Sequence, residues 1–156
     1  MRKVLFISNT ANFSKFNLPY MRWFKENGWQ VDYCSAGEEH VIDCDNQYAI
    51  PITRSPFSLK NLLAINELKK ILKKNEYDII HCHTPMGGVI GRLAAKKLWK
   101  NGRIKTIYTA HGFHFYKGAP LLNWLLYYPI EKWLSHITDI IITINEEDYE
   151  RAKKAF

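Results

Sequence analysis

Short apolar runs alternate with longer amphipathic stretches along the 156 residues of the chain. The first run, Lys3-Val-Leu-Phe-Ile-Ser8, is short and continuous and reads as a buried strand, ended by Asn9 and Thr10. Phe16 to Asn27 follows as a helix, with Leu18, Met21, Trp23 and Phe24 on its apolar side and Gly28 as its stop. Trp29 to Ser35 is a second strand, weaker in pattern; residues 38–45 read as loop, and Tyr48 to Ile52 as a short third strand. Ser55-Pro56 and Ser58 open the next helix, since Pro is tolerated in a first turn and Ser can cap free amides. There Leu59, Leu62, Leu63, Leu68, Ile71 and Leu72 recur at three and four, with Lys60, Lys70 and Lys74 opposite.

The second half keeps the rhythm. Tyr77 to Cys82 is a fourth strand, Gly87 to Lys100 a helix with Val89, Leu93 and Leu98 inward, and Arg103 to Thr109 a fifth strand. Pro120 to Ser135 is a helix, Asp139 to Ile144 a sixth strand, and Glu146 opens a final helix. Strand and helix alternating with crossovers of this length predict one α/β domain, three-layered and doubly wound, with a mostly parallel sheet and right-handed connections.

Composition adds bounds. At 47% hydrophobic and 24% charged residues the chain is an ordinary globular domain, neither disordered nor fibrous. Net charge is +7 and unevenly spread. Residues 54–74 carry Arg54, Lys60, Lys69, Lys70, Lys73 and Lys74 against Glu67 alone. Residues 92–105 carry Arg92, Lys96, Lys97, Lys100, Arg103 and Lys105 with no acid. Such patches suit anionic lipid, diphosphate or nucleic acid, or simply form a solvated helix face. No nucleic-acid recognition motif accompanies them. Cys34, Cys44 and Cys82 lack the pairing of a disulfide framework and fit a reducing compartment. No signal peptide is visible, and the longest charge-free apolar stretch, residues 118–130, falls short of the ~20 residues a spanning helix needs.

Aromatic residues crowd one segment. Phe113, Phe115, Tyr116, Trp124, Tyr127, Tyr128 and Trp133 stand among Leu121, Leu122, Leu125 and Leu134. A helix this apolar around its circumference is either buried or touches something greasy, and Trp and Tyr beside Lys117 and Lys132 suit a membrane interface. Pro129 is expected to kink it.

In open parallel sheets ligands bind beyond the carboxyl ends of the strands. Here those ends carry Asn9, Thr10 and Asn12 after the first strand and His83, Thr84 and Gly87-Gly88 after the fourth. His111, Gly112 and His114 follow the fifth, and Thr143, Asn145 and Glu146 the sixth. The glycine pair at a helix start can offer amides to a phosphate, but it is neither a GxGxxG fingerprint nor a Walker loop. His81-Cys82-His83 places two imidazoles on one face of a strand, yet no carboxylate stands at a matching position to complete a metal site. Cys82, inside an apolar strand, reads as core.

Taken together, Phe16-Asn-Leu-Pro-Tyr20, Tyr77-Asp-Ile-Ile-His-Cys-His-Thr-Pro85, Thr109-Ala-His-Gly-Phe-His-Phe-Tyr116 and Thr138-Asp-Ile-Ile-Ile-Thr-Ile-Asn-Glu-Glu-Asp-Tyr149 closely resemble a known family. It is the amino-terminal domain of family 4 retaining glycosyltransferases of capsule and exopolysaccharide synthesis. The resemblance runs from Val4 to the end of the chain. It implies a Rossmann-like domain forming one half of a GT-B enzyme. It further implies transfer without metal or cofactor from a nucleotide sugar, typically UDP-linked, to a lipid-diphosphate-linked saccharide. It also implies work at the cytoplasmic membrane face, where an anionic surface is an expected partner. His111 matches the family's cleft histidine, His83 and Thr84 its His-x-His-Thr strand end, and the loop of Asn12 the one that closes over the reacting groups. Gly112, His114 and Asn145 are expected to line the acceptor site. The donor-binding carboxyl-terminal domain has no counterpart in these residues. Activity is therefore expected of a longer parent, the alternative being a noncatalytic acceptor- and membrane-docking subunit of a split enzyme.

Overall fold

Val4 to Ile7 lose all contact with solvent, which places the first strand at the middle of a sheet. The computed structural model describes residues 1–156. In it β1 (Lys3–Ile7) lies between β2 (Gln30–Ser35) and β4 (Ile79–His83). With β3 (Asn46–Ala49), β5 (Lys105–Ala110) and β6 (Ile140–Thr143), the sheet has six strands in the order β3-β2-β1-β4-β5-β6. Every neighbouring pair is parallel. The strand order reverses between β1 and β4, the point where such sheets open a crevice at their carboxyl edge.

A 3-10 turn (Ala11–Phe13) leads into α1 (Ser14–Glu26), and α2 (Lys60–Asn75), α3 (Pro85–Lys100), α4 (Leu121–Ser135) and α5 (Glu146–Ala155) complete the chain. On one face α1 packs Met21 and Phe24 against Val4, Phe6, Val31 and Tyr33. On the other, Leu68 and Leu72 of α2 and Ile90 and Ala95 of α3 join Leu5, Ile7, Ile80 and Tyr108, with Trp124 and Tyr128 of α4 half-buried beside them. The three-layer parallel α/β domain expected from the alternation is what the chain forms.

The helices differ from expectation mostly in which face turns inward. In α2 the leucines at the start do not pack: Leu59, Leu62 and Leu63 are 77%, 59% and 58% exposed. The buried stripe is Asn61, Ala64, Leu68 and Leu72. Asn61 takes the inward place because its amide closes the preceding loop, accepting from Thr53 N at 2.8 Å and donating to Ser55 O at 2.8 Å. Ser58 does not cap the helix; Leu59 is the N-cap, without a side-chain bond. In α1 Trp23 also faces out.

In α3, Val89, Leu93 and Leu98 are only half-buried, and the helix starts two residues early, capped by Thr84. Its buried face is made of Gly87, Gly88, Gly91, Ala94 and Ala95 with Ile90, which lets the helix lie against the sheet. A Cβ on Gly91 would stand 2.5 Å from Cys82 Sγ, and one on Gly88 2.5 Å from the Tyr108 ring. Close approach to the sheet, rather than a phosphate cradle, accounts for these glycines.

Arg92, counted above with a basic surface stretch, is fully buried. Its Nη2 donates to Glu131 Oε2 at 2.9 Å and its Nε to Gly88 O at 2.9 Å, while its guanidinium lies 4.0 Å from the Tyr108 ring centre. The pair ties α3 to α4. The latter runs on through Pro129 and buries only Glu131 and Leu134 fully. Leu121, Leu122 and Leu125 stand 73%, 71% and 66% exposed, so full burial does not explain the apolar character of this helix.

The third strand spans Asn46–Ala49, two residues earlier than the pattern implied, because Asp45 and Asn46 bond to β2 and its buried Asp32. All three cysteines are free, and burial pushes the Cys82 thiol up to about 12, in keeping with a packing role.

Candidate functional site

The carboxyl ends of β1 and β4 are joined to the start of α3 through one hydroxyl. Thr84 follows β4 with φ +63°, a left-handed conformation that a β-branched residue rarely adopts. What holds it there is its own Oγ1, which donates to His83 O at 2.5 Å and accepts from Asn9 N at 3.1 Å and Gly87 N at 3.4 Å. Thr84 thereby staples the loop after β1 to the start of α3.

Beneath this staple lie three imidazoles. His83 has no solvent exposure, and its Nδ1 stands 3.2 Å from Nε2 of His111. His81, on the same face of β4, puts Nε2 2.9 Å from Thr109 Oγ1, and its ring centre lies 4.2 Å from that of His83. Phe6 stacks on His83 from β1, and Phe13 lies edge-on to His111 at 4.7 Å. Burial lowers all three: His81 to about 4, His83 well below the usual histidine range, and His111 below its ordinary value. The cluster is therefore neutral at pH 7. His111 is the member that reaches solvent: it is only half-buried, and its Nδ1 has no partner in the chain and is not shut away from water. His81 Nδ1 and His83 Nε2 are buried without partners.

On the other side of Phe13 is a cavity of about 310 Å³, lined by Asn9, Thr10, Arg54, Thr84, His114 and Tyr127 among others. His114 is exposed, with its ring 4.6 Å from that of Tyr127. Asn12 is exposed on the 3-10 turn, and Gly112, at φ +130°, bends the chain so that Phe113 N donates to Asp148. Asn145 lies apart: its Oδ1 accepts from Asp148 N at 2.8 Å and its Nδ2 donates to the Asp148 carboxylate, so the side chain caps α5. The structure thus pairs His83 with His111, sets Thr84 and His114 on the cavity beyond Phe13, and gives Asn145 a local structural task; His83, expected to bind substrate, is shut away from solvent and reaches the site only through His111.

Arg54 was not singled out from the sequence as a site residue. The rule that strand ends carry ligands applies to β3 as well, but it was applied only to the ends of the first, fourth, fifth and sixth strands. Tyr127 was hidden in the aromatic crowd of α4.

The fold recurs in solved structures at low identity. A Listeria monocytogenes protein provisionally assigned as a UDP-N-acetylglucosamine 2-epimerase superposes with a TM-score of 0.73 at 11% identity, over 97% of this chain and 41% of that one. Sucrose-phosphate synthase from Thermosynechococcus elongatus does so with 0.71 at 15% identity, over 99% and 45%. Sequence relatives are closer. EpsD of Bacillus subtilis (strain 168), whose assignment as a glycosyltransferase is itself provisional, is 54% identical over 97% of this chain and 40% of its own length. The Escherichia coli UDP-Gal:alpha-D-GlcNAc-diphosphoundecaprenol alpha-1,3-galactosyltransferase is 30% identical over 81% of this chain and 30% of its own. The chain thus spans less than half the length of these curated relatives. The glycosyl transferase 4-like pattern matches residues 3–145, and with the parallel sheet and its carboxyl-edge crevice this establishes that the chain belongs to the glycosyl transferase 4-like family.

Proposed function

We propose that this chain is the acceptor-binding domain of a glycosyltransferase moving a sugar from a UDP-linked donor to a lipid-diphosphate-linked saccharide in cell-surface polysaccharide synthesis. The observation that carries the reading is the placement of His111: neutral, half-buried, one ring nitrogen tied to His83 and the other open to the crevice. A neutral imidazole so held can fix an acceptor hydroxyl or the transferred sugar by a hydrogen bond, which is a positioning task more than a proton transfer. No metal or cofactor enters this scheme. The donor's diphosphate would be held by a second, donor-binding domain in the whole protein, where basic groups stabilise the leaving diphosphate. The galactosyltransferase relative bears an acceptor of this class in its name, which supports the same choice here.

Membrane contact at the inner face of the cell membrane belongs to the proposal. No helix is long and apolar enough to cross a membrane. Exposed Leu59, Leu62 and Leu63 on α2 and Leu121, Leu122 and Leu125 on α4 instead form an apolar rim at the crevice end of the helical layer. The opposite end of the same layer is basic, with Lys69, Lys73, Lys96, Lys97, Lys100 and Arg103 along one groove. Apolar and basic regions on one layer suit an anionic bilayer surface.

The test is transfer of labelled sugar from UDP-sugars to a diphosphate-linked lipid acceptor by the whole protein, with His111→Ala beside it. A loss of turnover of a hundredfold or more is expected; wild-type turnover in the variant would overturn the role of His111.

A further inference from the structure

Within the acceptor-side reading, we propose that the cavity beside Arg54 is a diphosphate subsite for a polyprenyl-linked acceptor, with the Arg54 guanidinium as its cation and the apolar rim as the track for the lipid chain. Arg54 lines this cavity together with His114 and Tyr127. It is exposed and forms neither a salt bridge nor a hydrogen bond within the protein, unlike Arg22, Arg92, Arg103 and Arg151, each of which has a carboxylate partner.

Its loop is nevertheless fixed. The buried amide of Asn61 holds Thr53 N on one side of Arg54 and Ser55 O on the other, so the cation is presented by a pinned backbone. A guanidinium offers a planar fork of donors matched to phosphate oxygens, and holding its base in advance lowers the cost of binding. Thr10 and Asn9 add polar atoms to the same lining, and the start of α3 adds the positive end of a sixteen-residue helix dipole.

The neighbouring residues select the ester. Phe57, three positions beyond Arg54, is 78% exposed, and Leu59, Leu62 and Leu63 soon after it are exposed as well. Leu121, Leu122 and Leu125 are exposed on α4, the helix that supplies Tyr127 to the cavity lining. A cationic site whose walls come from segments that also carry exposed apolar side chains is complementary to a prenyl diphosphate more than to a nucleoside diphosphate, whose base and ribose are polar.

Titration of the chain with farnesyl diphosphate, inorganic diphosphate, farnesol and UDP tests this. Farnesyl diphosphate is expected to bind more tightly than the other three. Arg54→Gln should weaken both farnesyl and inorganic diphosphate about tenfold to a hundredfold, the value of a charge-assisted contact, without changing the melting temperature. Leu59→Ser with Leu62→Ser should weaken farnesyl diphosphate alone. Absence of farnesyl diphosphate binding, an Arg54→Gln affinity within twofold of wild type, or UDP binding as tight as farnesyl diphosphate would overturn the subsite. The reaction can fail separately: Arg54-dependent binding without sugar transfer by the whole protein would overturn the proposed activity and leave the subsite in place.

Discussion

His83 Nδ1 and His111 Nε2 meet at 3.2 Å, which leaves one ring to donate and the other to accept. Both are neutral, because burial disfavours their charged forms. If His111 donated, the His83 proton would sit on Nε2, a buried position with no acceptor. The better arrangement puts the His83 proton on Nδ1, directed at His111, and leaves the His111 proton on Nδ1 facing the crevice. His83 is then a positioning residue that fixes what His111 offers a ligand. Ring nitrogen NMR should find His111 protonated on Nδ1. His83→Ala should lower kcat in the whole protein about tenfold to a hundredfold with a smaller change in KM, and free the His111 tautomer. An unchanged His111 spectrum in the variant would refute the coupling.

The same imidazoles make stability depend on pH. His81 is lowered to about 4, and its neighbours are Phe6, Tyr20, Thr109 and His83, none of them a carboxylate. A histidine depressed in the folded state favours folding while neutral, so its contribution is present above the ordinary value near 6.5 and lost as pH falls towards about 4. Between pH 7 and pH 5 the His81 site alone should cost about 2 kcal/mol, and His83 acts in the same direction. Denaturant titrations at the two pH values measure this. His81→Asn should flatten the difference; an equally steep loss in that variant would exclude His81 as its source.

The Arg92–Glu131 pair joins α3 to a helix that buries little else. Removing one partner leaves a charge in the core, so Glu131→Ala should destabilise by about 3–5 kcal/mol. Replacing both, as Arg92→Met with Glu131→Leu, should cost far less, within about 1 kcal/mol of wild type. Equal losses in single and double variants would show that packing, not charge, makes the joint.

Particular residues show what was legible in the sequence. The six strands and their order along the chain follow from apolar runs that only a parallel α/β sheet can bury, and the strand-end polar residues located the crevice. The phase of α2 did not follow, since one amide, Asn61, outweighs three leucines by closing a loop that no periodicity describes. The inward face of α3 was hidden for the opposite reason: glycine and alanine carry almost no hydropathy signal, and their value lies in the distance they permit. Arg92 looked like surface charge because its partner lies on another helix, 39 residues on. The touch between His83, at the end of β4, and His111, just past the end of β5, joins residues 28 apart and emerges only with the β4–β5 register.

That close packing of α3 can itself be measured. A methyl at Gly91 would meet Cys82 Sγ at 2.5 Å and the Ile7 side chain at 3.1 Å, both in the centre of the sheet. Gly91→Ala removes a helix glycine, worth up to about 1 kcal/mol in its favour by propensity alone. Overpacking in a dense core costs about 1–3 kcal/mol and should win, so the variant is expected to be less stable than wild type. Cys82→Ala removes the sulfur that the new methyl would strike. In the double variant the penalty of the methyl should fall by more than half, a coupling readable from urea unfolding of all four proteins. Additive losses would mean that Ile7 or the helix backbone, and not the Cys82 sulfur, sets how near α3 can lie to the sheet.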